Sequence, residues 1–453
     1  DTSGPGGHPA GLSTLFFTEL WERFSYYGMR AILMLYMVAP AAEGGLGFRI
    51  EQASGIYGTY TMLVYMASIP GGVVADRWLG GRLSVLIGGI IIALGHFTLI
   101  FPALPFFYGG LALIIFGTGL LKPNISTMLG SMYRANDHRR DAGFSIFYMG
   151  INIGAALSPL VCGYLAQAMG FKQWLVSAGF EPTSSWHWGF GAAGVGMSLG
   201  LAHYLLQQKK LGTAGLRPVK KSKQEAAEAA SQSKAAPLSP AEWKRLGAIG
   251  ILFFFTMLFW AVYEQGGSSL SLFADKLTDC SIMGWQFPSS WFQSLQAIFV
   301  ICLAPIFSWL WIKLGKREPS SPAKFAYGLF FLGAGIALMV PASLGAAAGK
   351  VSPWWLTAVY LLQVTGELCL SPVGLSTVTK LAPARIVGMM MGVWFLAASM
   401  GNMLAGYLGG FFNENDLHSL TNLYGGMGAA ALAATVVLVF LTPTVRKLMG
   451  GIH

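Results

Sequence analysis

Apolar stretches long enough to cross a bilayer alternate with short polar segments along almost the whole chain. A hydrocarbon core about 30 Å thick needs about 20 apolar residues in a helix. Twelve stretches meet that length, near residues 12–38, 53–75, 83–103, 105–132, 143–169, 187–208, 246–273, 289–312, 324–346, 352–379, 386–412 and 418–445. Glycine and proline inside them are no objection, because membrane helices tolerate both. The alternation breaks once, at residues 209–245, which are rich in Lys, Ala, Ser and Gln and too polar to enter lipid. The pattern predicts an all-α membrane protein with twelve transmembrane helices in two six-helix halves, 12–208 and 246–445. A linker at 209–245 joins the halves, and tails run over 1–11 and 446–453. Within the linker, Gln224 to Lys234 reads either as an amphipathic helix on the membrane surface or as a disordered tether. Residues 1–11, with Gly4-Pro5-Gly6-Gly7, read as a short disordered tail with no signal peptide ahead of the first helix.

The first apolar stretch carries charge. Its segment Glu19-Leu20-Trp21-Glu22-Arg23-Phe24-Ser25-Tyr26-Tyr27-Gly28-Met29-Arg30 holds four ionisable side chains at membrane depth, each costing roughly 2.5–3.5 kcal/mol on insertion scales. Such groups persist where they face a wet cavity or a partner. At 3.6 residues per turn Glu19, Glu22, Arg23, Tyr26 and Arg30 fall within one stripe, and Glu19 and Arg23 form an i,i+4 pair. One wall of the first helix is therefore expected to be polar and to carry both signs of charge.

Composition supports the membrane reading. The chain is 54% hydrophobic and 11% charged, with 59 Gly and 30 Phe, whereas soluble domains carry about 25% charged residues. A net charge of +10 would suit nucleic-acid binding, but its distribution argues against that. Of 29 Lys and Arg, 22 fall in alternate loops and the C-terminal tail, nine of them between Lys209 and Arg245. Only Arg49, Lys172, Lys276 and Lys350 fall on the other face, while Arg23, Arg30 and Lys122 lie inside helices. This is the positive-inside bias, which puts both termini and the central linker in the cytoplasm. The four cysteines have no metal-ligand spacing, and three of them, Cys162, Cys302 and Cys369, are expected as small buried residues. His96 and His203 lack a nearby acidic partner in sequence and are expected to pack rather than relay protons. Neither the nucleophile or ligand cluster of an enzyme nor the ringed filter of a channel appears, so no metal, no cofactor and no enzymatic activity are expected.

Six plus six helices around a polar linker is the layout of major facilitator transporters. Gly72-Val73-Val74-Ala75-Asp76-Arg77-Trp78-Leu79-Gly80-Gly81-Arg82 resembles the facilitator loop signature, with one extra residue before the last Arg. Asp76 and Arg77 are candidate latch residues there, because a carboxylate at a helix end can accept from basic groups and backbone donors. An ordinary tight turn carrying topogenic charge is the alternative.

Three further strings narrow the resemblance. They are Glu19-x-x-Glu22-Arg23-Phe24-x-Tyr26-Tyr27-Gly28 in the first helix, Phe147-Tyr148-x-x-Ile151-Asn152-x-Gly154 in the fifth, and Gly366-Glu367-x-x-x-Ser371-Pro372 in the tenth. Together, in that order, they closely resemble the proton-dependent oligopeptide transporters across nearly the whole chain. The resemblance implies the major facilitator fold and a set of roles. Lys122, in Leu121-Lys122-Pro123-Asn124, matches the family lysine that partners the acidic motif, so Glu19, Glu22, Arg23 and Lys122 would form a proton-linked charge cluster whose basic members hold the peptide carboxylate; snorkelling to an interface is its alternative. Glu264, in Phe259-Trp260-x-x-Tyr263-Glu264-Gln265, matches a second protonatable carboxylate, or braces its helix. Glu367, helped by Asn152 and sharing its face with Ser371, would pair with the peptide amino terminus. Pro372 removes a backbone hydrogen bond and makes a hinge. Arg30 joins the substrate-binding set with Tyr26, Tyr27, Tyr65, Tyr148, Trp260, Trp291 and Trp394 as cavity walls, though aromatic residues are equally common in packing.

Two departures stand out. Phe292-Gln293-Ser294-Leu295-Gln296 places Gln296 where the family usually has Asn, and residues 209–245 replace the two additional helices of many bacterial relatives. The expectation is a proton-coupled symporter importing di- and tripeptides by alternating access across a bacterial-type inner membrane. Protons serve as the coupling ion, the bilayer is the surrounding medium, and neither nucleic acid nor an obligatory protein partner is implied.

Overall fold

The chain's structure, a computed structural model, describes residues 2–134, 137, 139–216, 238–383 and 386–450. Among these residues twelve helices reach 17 residues or more: α1 (Gly11–Val38), α2 (Ile50–Val74), α3 (Gly81–Thr98), α4 (Leu104–Ser131), α5 (Arg140–Gln167), α6 (Ser185–Gln207), α7 (Pro240–Tyr263), α8 (Phe292–Leu314), α9 (Ser321–Ala337), α10 (Trp354–Leu381), α11 (Val387–Gly409) and α12 (Leu417–Met449). Among the described residues ten helical segments are long and apolar enough to cross a membrane. α1 and α2 fall outside that group despite lengths of 28 and 25 residues. The charges of α1 exclude it, and frequent Gly, Tyr and Thr dilute the apolar character of α2.

Several boundaries differ from the sequence reading for identifiable reasons. α7 starts at Pro240 rather than near 246, because Ser239 and Glu242 form a reciprocal capping box with Pro240 in the first turn. At the other edge of the linker, residues up to 216 are fastened to the bundle. The Arg82 Nε donates to the Ala214 carbonyl at 2.7 Å, the Arg82 amide donates to the Gly215 carbonyl at 2.8 Å, and the Tyr204 hydroxyl donates to the Arg82 carbonyl at 3.1 Å. The segment Gln224 to Lys234 lies outside the described residues. The N-terminal tail is likewise ordered rather than loose: buried His8 sits 2.9 Å from the Tyr133 hydroxyl through its Nδ1, and Arg139 donates to the Gly7 carbonyl. A two-stranded hairpin, Ser281–Ile282 against Trp285–Gln286, was not foreseen. Its turn residues Met283 and Gly284 both have positive φ, 52° and 83°, as a type I′ turn requires. Cys162 and Cys369 are buried as expected, but Cys302 is exposed on α8.

In the first half α1 packs on α5 and α6, α3 on α4 and α6, and α2 on α4. In the second, α9 packs on α10 and α12, and α7 on α11 and α12. The halves meet through α2 against α11 and α5 against α8. The first pairing works because glycine faces glycine: a Cβ on Gly406 would stand 2.5 Å from the Gly58 Cα, and one on Gly58 would stand 2.7 Å from the Gly406 Cα. Both junctions lie toward the end holding the α1–α2 connection. Successive long helices joined by short connections alternate in direction, so the Lys- and Arg-rich segments collect at the other end, here called the basic end.

Candidate functional site

The polar stripe of α1 is turned inward. Glu19, Glu22, Arg23 and Arg30 are all buried, and buried charge persists only when it is paired. Arg23 answers both acids: its Nη2 donates to Glu22 Oε1 at 2.6 Å, its Nε donates to Glu22 Oε2, and the same Nε lies 3.4 Å from Glu19 Oε1. This bidentate fork is geometry that arginine provides and lysine does not. The Arg23 guanidinium also lies 5.0 Å from the Tyr26 ring centroid and 5.9 Å from that of Tyr27.

Lys122 departs from the expected cluster. Among the described residues it makes no ion pair within 4 Å; its ammonium instead sits 4.3 Å from the centroid of the Tyr65 ring and lines the central cavity. It remains an electrostatic neighbour of Glu19 and Glu22. One cation is thus consumed by the acids of its own helix, and a second faces open space.

Two turns above Arg23, the Nη2 of Arg30 donates across the halves to Glu264, and its Nε donates to the hydroxyl of Tyr57 on neighbouring α2. Glu264 sits where the helical run of α7 breaks into a 3₁₀ turn, Glu264–Gly267, before a short helix, Ser269–Leu277. Two features make the break possible. Gln265 donates to the Ala261 carbonyl of α7 at 3.1 Å and to the Ala405 carbonyl of α11 at 3.0 Å, bracing the turn against α11. Gly267 leaves room for Tyr57, since a Cβ at that position would meet the Tyr57 hydroxyl at 1.7 Å.

On α10, Glu367 accepts from the Tyr263 hydroxyl and shares the cavity wall with Ser371, one turn on. α10 continues through Pro372 as one helix from Trp354 to Leu381. Between the halves these elements enclose a cavity of about 320 Å³. Of the residues expected at the substrate, it brings together Tyr27, Arg30, Tyr65, Lys122, Tyr148, Asn152, Trp260, Glu264, Gln296, Glu367, Ser371 and Trp394. The Asn152 side chain donates to the Tyr148 carbonyl of its own helix at 2.9 Å.

Other expected residues lie elsewhere. Arg23 and Tyr26 sit behind the cavity wall rather than on it, and Trp291 stands apart: its indole donates to the Leu160 carbonyl at 3.1 Å and packs against Trp285 and Phe287 at the α5–α8 junction. Asp76 and Arg77 are exposed in the turn Ala75–Leu79, and among the described residues neither makes an ion pair. The contact made by that loop signature comes from its last residue, Arg82. Tyr57 and Tyr263 were not foreseen as site residues. Tyr263 stands next to Glu264 in a quoted motif, and Tyr57 lies two turns before Tyr65 on α2, so their types and spacings were visible while their partners were not.

A helical bundle that buries charge against a cavity between two halves defines a membrane transporter rather than an enzyme. The sequence model described as the POT family matches residues 82–213 and 217–424, and the chain belongs to that family. The uncharacterized transporter YclF of Bacillus subtilis is 41% identical over 98% of this chain and 96% of its own. The peptide transporter YePEPT of Yersinia enterocolitica is 37% identical over 99% and 98%, and a di-/tripeptide transporter of Lactococcus lactis is 35% identical over 99% and 98%. Among solved structures, a peptide transporter POT in complex with sulfate superposes with a TM-score of 0.89 at 40% identity, covering 99% of this chain and 98% of that one. A POT family transporter bound to 5-aminolevulinic acid gives 0.86 at 33%, covering 98% of each. The protein is thus a multi-pass membrane transporter of the POT family.

Proposed function

We propose that the protein is a symporter that brings di- and tripeptides, together with protons, across a bacterial inner membrane by alternating access. The observation that carries this reading is the two-ended chemistry of the central cavity, with Arg30 and Lys122 on the walls from α1 and α4, and Glu367 on the wall from α10. A peptide is a zwitterion with termini at nearly fixed separation. Anchoring its carboxylate at the cations and its ammonium at Glu367 leaves Tyr27, Tyr65, Tyr148, Trp260 and Trp394 as apolar walls for varied side chains. The relatives named as peptide transporters point the same way.

Proton coupling follows from competition for arginine. Arg30 is engaged by Glu264 across the halves and Arg23 by Glu22. A proton on either acid removes the ion pair and releases a guanidinium, for a substrate carboxylate in the case of Arg30 and for a rearranged cluster with Glu19 and Lys122 in the case of Arg23. The Arg30–Glu264 bridge lies near the α2–α11 and α5–α8 junctions, so its release would loosen closure at that end. In this scheme all twelve long helices span the bilayer, the basic end faces the cytoplasm with both termini and the 209–245 linker, and α10 bends at Pro372. The membrane potential adds about 2.3 kcal/mol per charge per 100 mV to inward proton movement. Purified protein in liposomes should accumulate labelled dialanine under an imposed inward proton gradient; equilibration at the same rate with and without the gradient would reject coupling, and no dialanine uptake at all would reject the substrate.

A further inference from the structure

A second cavity, about 790 Å³, opens between α8, α9, α10 and α12 at the basic end and shares Tyr148 with the central cavity. Its walls carry three cations, Lys324, Lys380 and Arg446, against one carboxylate, Glu318. Lys324 is the informative member. It lies in the first turn of α9 at 8% exposure, bonded to Glu318 and 4.4 Å from the centroid of the Trp311 ring. The two partners differ in their freedom: the Glu318 side chain is 39% exposed and stands on the α8–α9 connection, while the Lys324 side chain is 10% exposed. Burial fixes the cation, and solvent access lets the anion swing away without stranding its charge. Another anion can then take its place on Lys324, assisted by the α9 N-terminus and the hydroxyls of Ser320 and Ser376.

We propose that this vestibule is a second, weaker subsite for the anionic group of a small organic ligand, here the carboxylate of a peptide leaving the central cavity. The inference rests on the reading of the central cavity as the peptide site. A carboxylate released by Arg30 and Lys122 would meet Lys324, Lys380 and Arg446 next, with Tyr148 forming part of both walls. Partial hydration and the competing Glu318 keep the second site weak, as a release path needs. A phospholipid headgroup offers the same anionic chemistry from a different source.

The test uses the full chain in nanodiscs and labelled dialanine in equilibrium dialysis. In phosphatidylcholine discs the wild type should bind a tight and a weak class. The Lys380→Gln/Arg446→Gln double variant, altered away from the central cavity, should weaken the second class about tenfold or more, the loss expected of a charge-assisted contact, and leave the first unchanged. Lys324→Met should do the same if it folds. Loss of only the weak class from wild type in phosphatidylglycerol discs would support the anion site and name the lipid headgroup as its occupant in membranes. A single class in the wild type in phosphatidylcholine, or an unchanged weak class in the double variant, overturns the subsite. Absence of any dialanine binding would remove it together with the central-site reading.

Discussion

Replacing Glu367 by Gln isolates the contact proposed for the substrate's amino terminus. The change keeps side-chain size and leaves a carbonyl able to accept from the Tyr263 hydroxyl, which now donates to one carboxylate oxygen. The wall of the central cavity should therefore persist, while the negative charge facing an ammonium is lost. A hydrogen bond to a charged group contributes about 1.5–3 kcal/mol, or roughly tenfold to hundredfold in affinity. That loss should fall on dialanine and spare N-acetyl-dialanine, which has no ammonium. Competition against labelled dipeptide uptake, at matched protein level in the membrane, measures both inhibition constants. The wild type should prefer the free peptide, and the variant should compress that preference toward unity by weakening the free peptide alone. Equal losses for both competitors, or a preference that survives intact, would refute pairing at Glu367. If Gln296→Ala erased the preference instead, the amino-terminal contact would belong to α8.

Glu22→Gln should retain exchange of internal for external peptide yet lose accumulation driven by a proton gradient, because the carboxylate proposed to take the proton from the Arg23 pair is gone; concentrative uptake at wild-type rate would reject its role. Arg23→Ala should abolish most transport and cost about 3–5 kcal/mol of stability by stranding two buried carboxylates, whereas Lys122→Ala, at a lysine that makes no ion pair among the described residues, should lose transport with a smaller change in melting temperature. Gly406→Ala should slow transport severalfold at normal expression by holding α2 away from α11, and an unimpaired rate would show that this contact is dispensable. A cysteine at Ser231 should react with an impermeant thiol reagent only from the cytoplasmic side, and labelling from outside sealed cells would overturn the orientation.

Much of the architecture could be read from the chain because its physics is one-dimensional. Length and apolarity fix where a helix can span, and each candidate stretch coincides with a long helix, including α1 despite its four charges. Those charges fall on one stripe, which leaves the rest of its circumference apolar. Local chemistry was harder to weigh. The Ser239–Glu242 box lies inside the polar stretch 209–245, so apolarity alone places the start of α7 six residues late. The N-terminal tail differs for the opposite reason: its composition predicts disorder, whereas the contacts that hold Gly7 and His8, with Arg139 and Tyr133, span more than a hundred residues.

The site shows the same division between residue type and pairing. Periodicity identified Glu19, Glu22, Arg23 and Arg30 as a set, and Arg23 does serve the two acids within reach along its own helix. Arg30 lies on the same stripe, yet its partners are Tyr57 and Glu264, the latter 234 residues away and on the other half. Both arginines lie on one face of α1; what separates them is height along the helix. Arg23 lies level with Glu19 and Glu22, whereas Arg30, about two turns further, reaches the level where α7 breaks at Gly266 and Gly267 and brings Glu264 inward. Lys122 completes the contrast, since a cation expected among the acids faces the cavity over Tyr65 once Arg23 has taken both carboxylates. A charge cluster read from one helix therefore resolves into three cations of distinct standing: one bound within its half, one bridging the halves, and one open to the cavity. That inequality is what coupling requires, because three equally paired cations would leave a peptide carboxylate nothing to bind until an ion pair had first been broken.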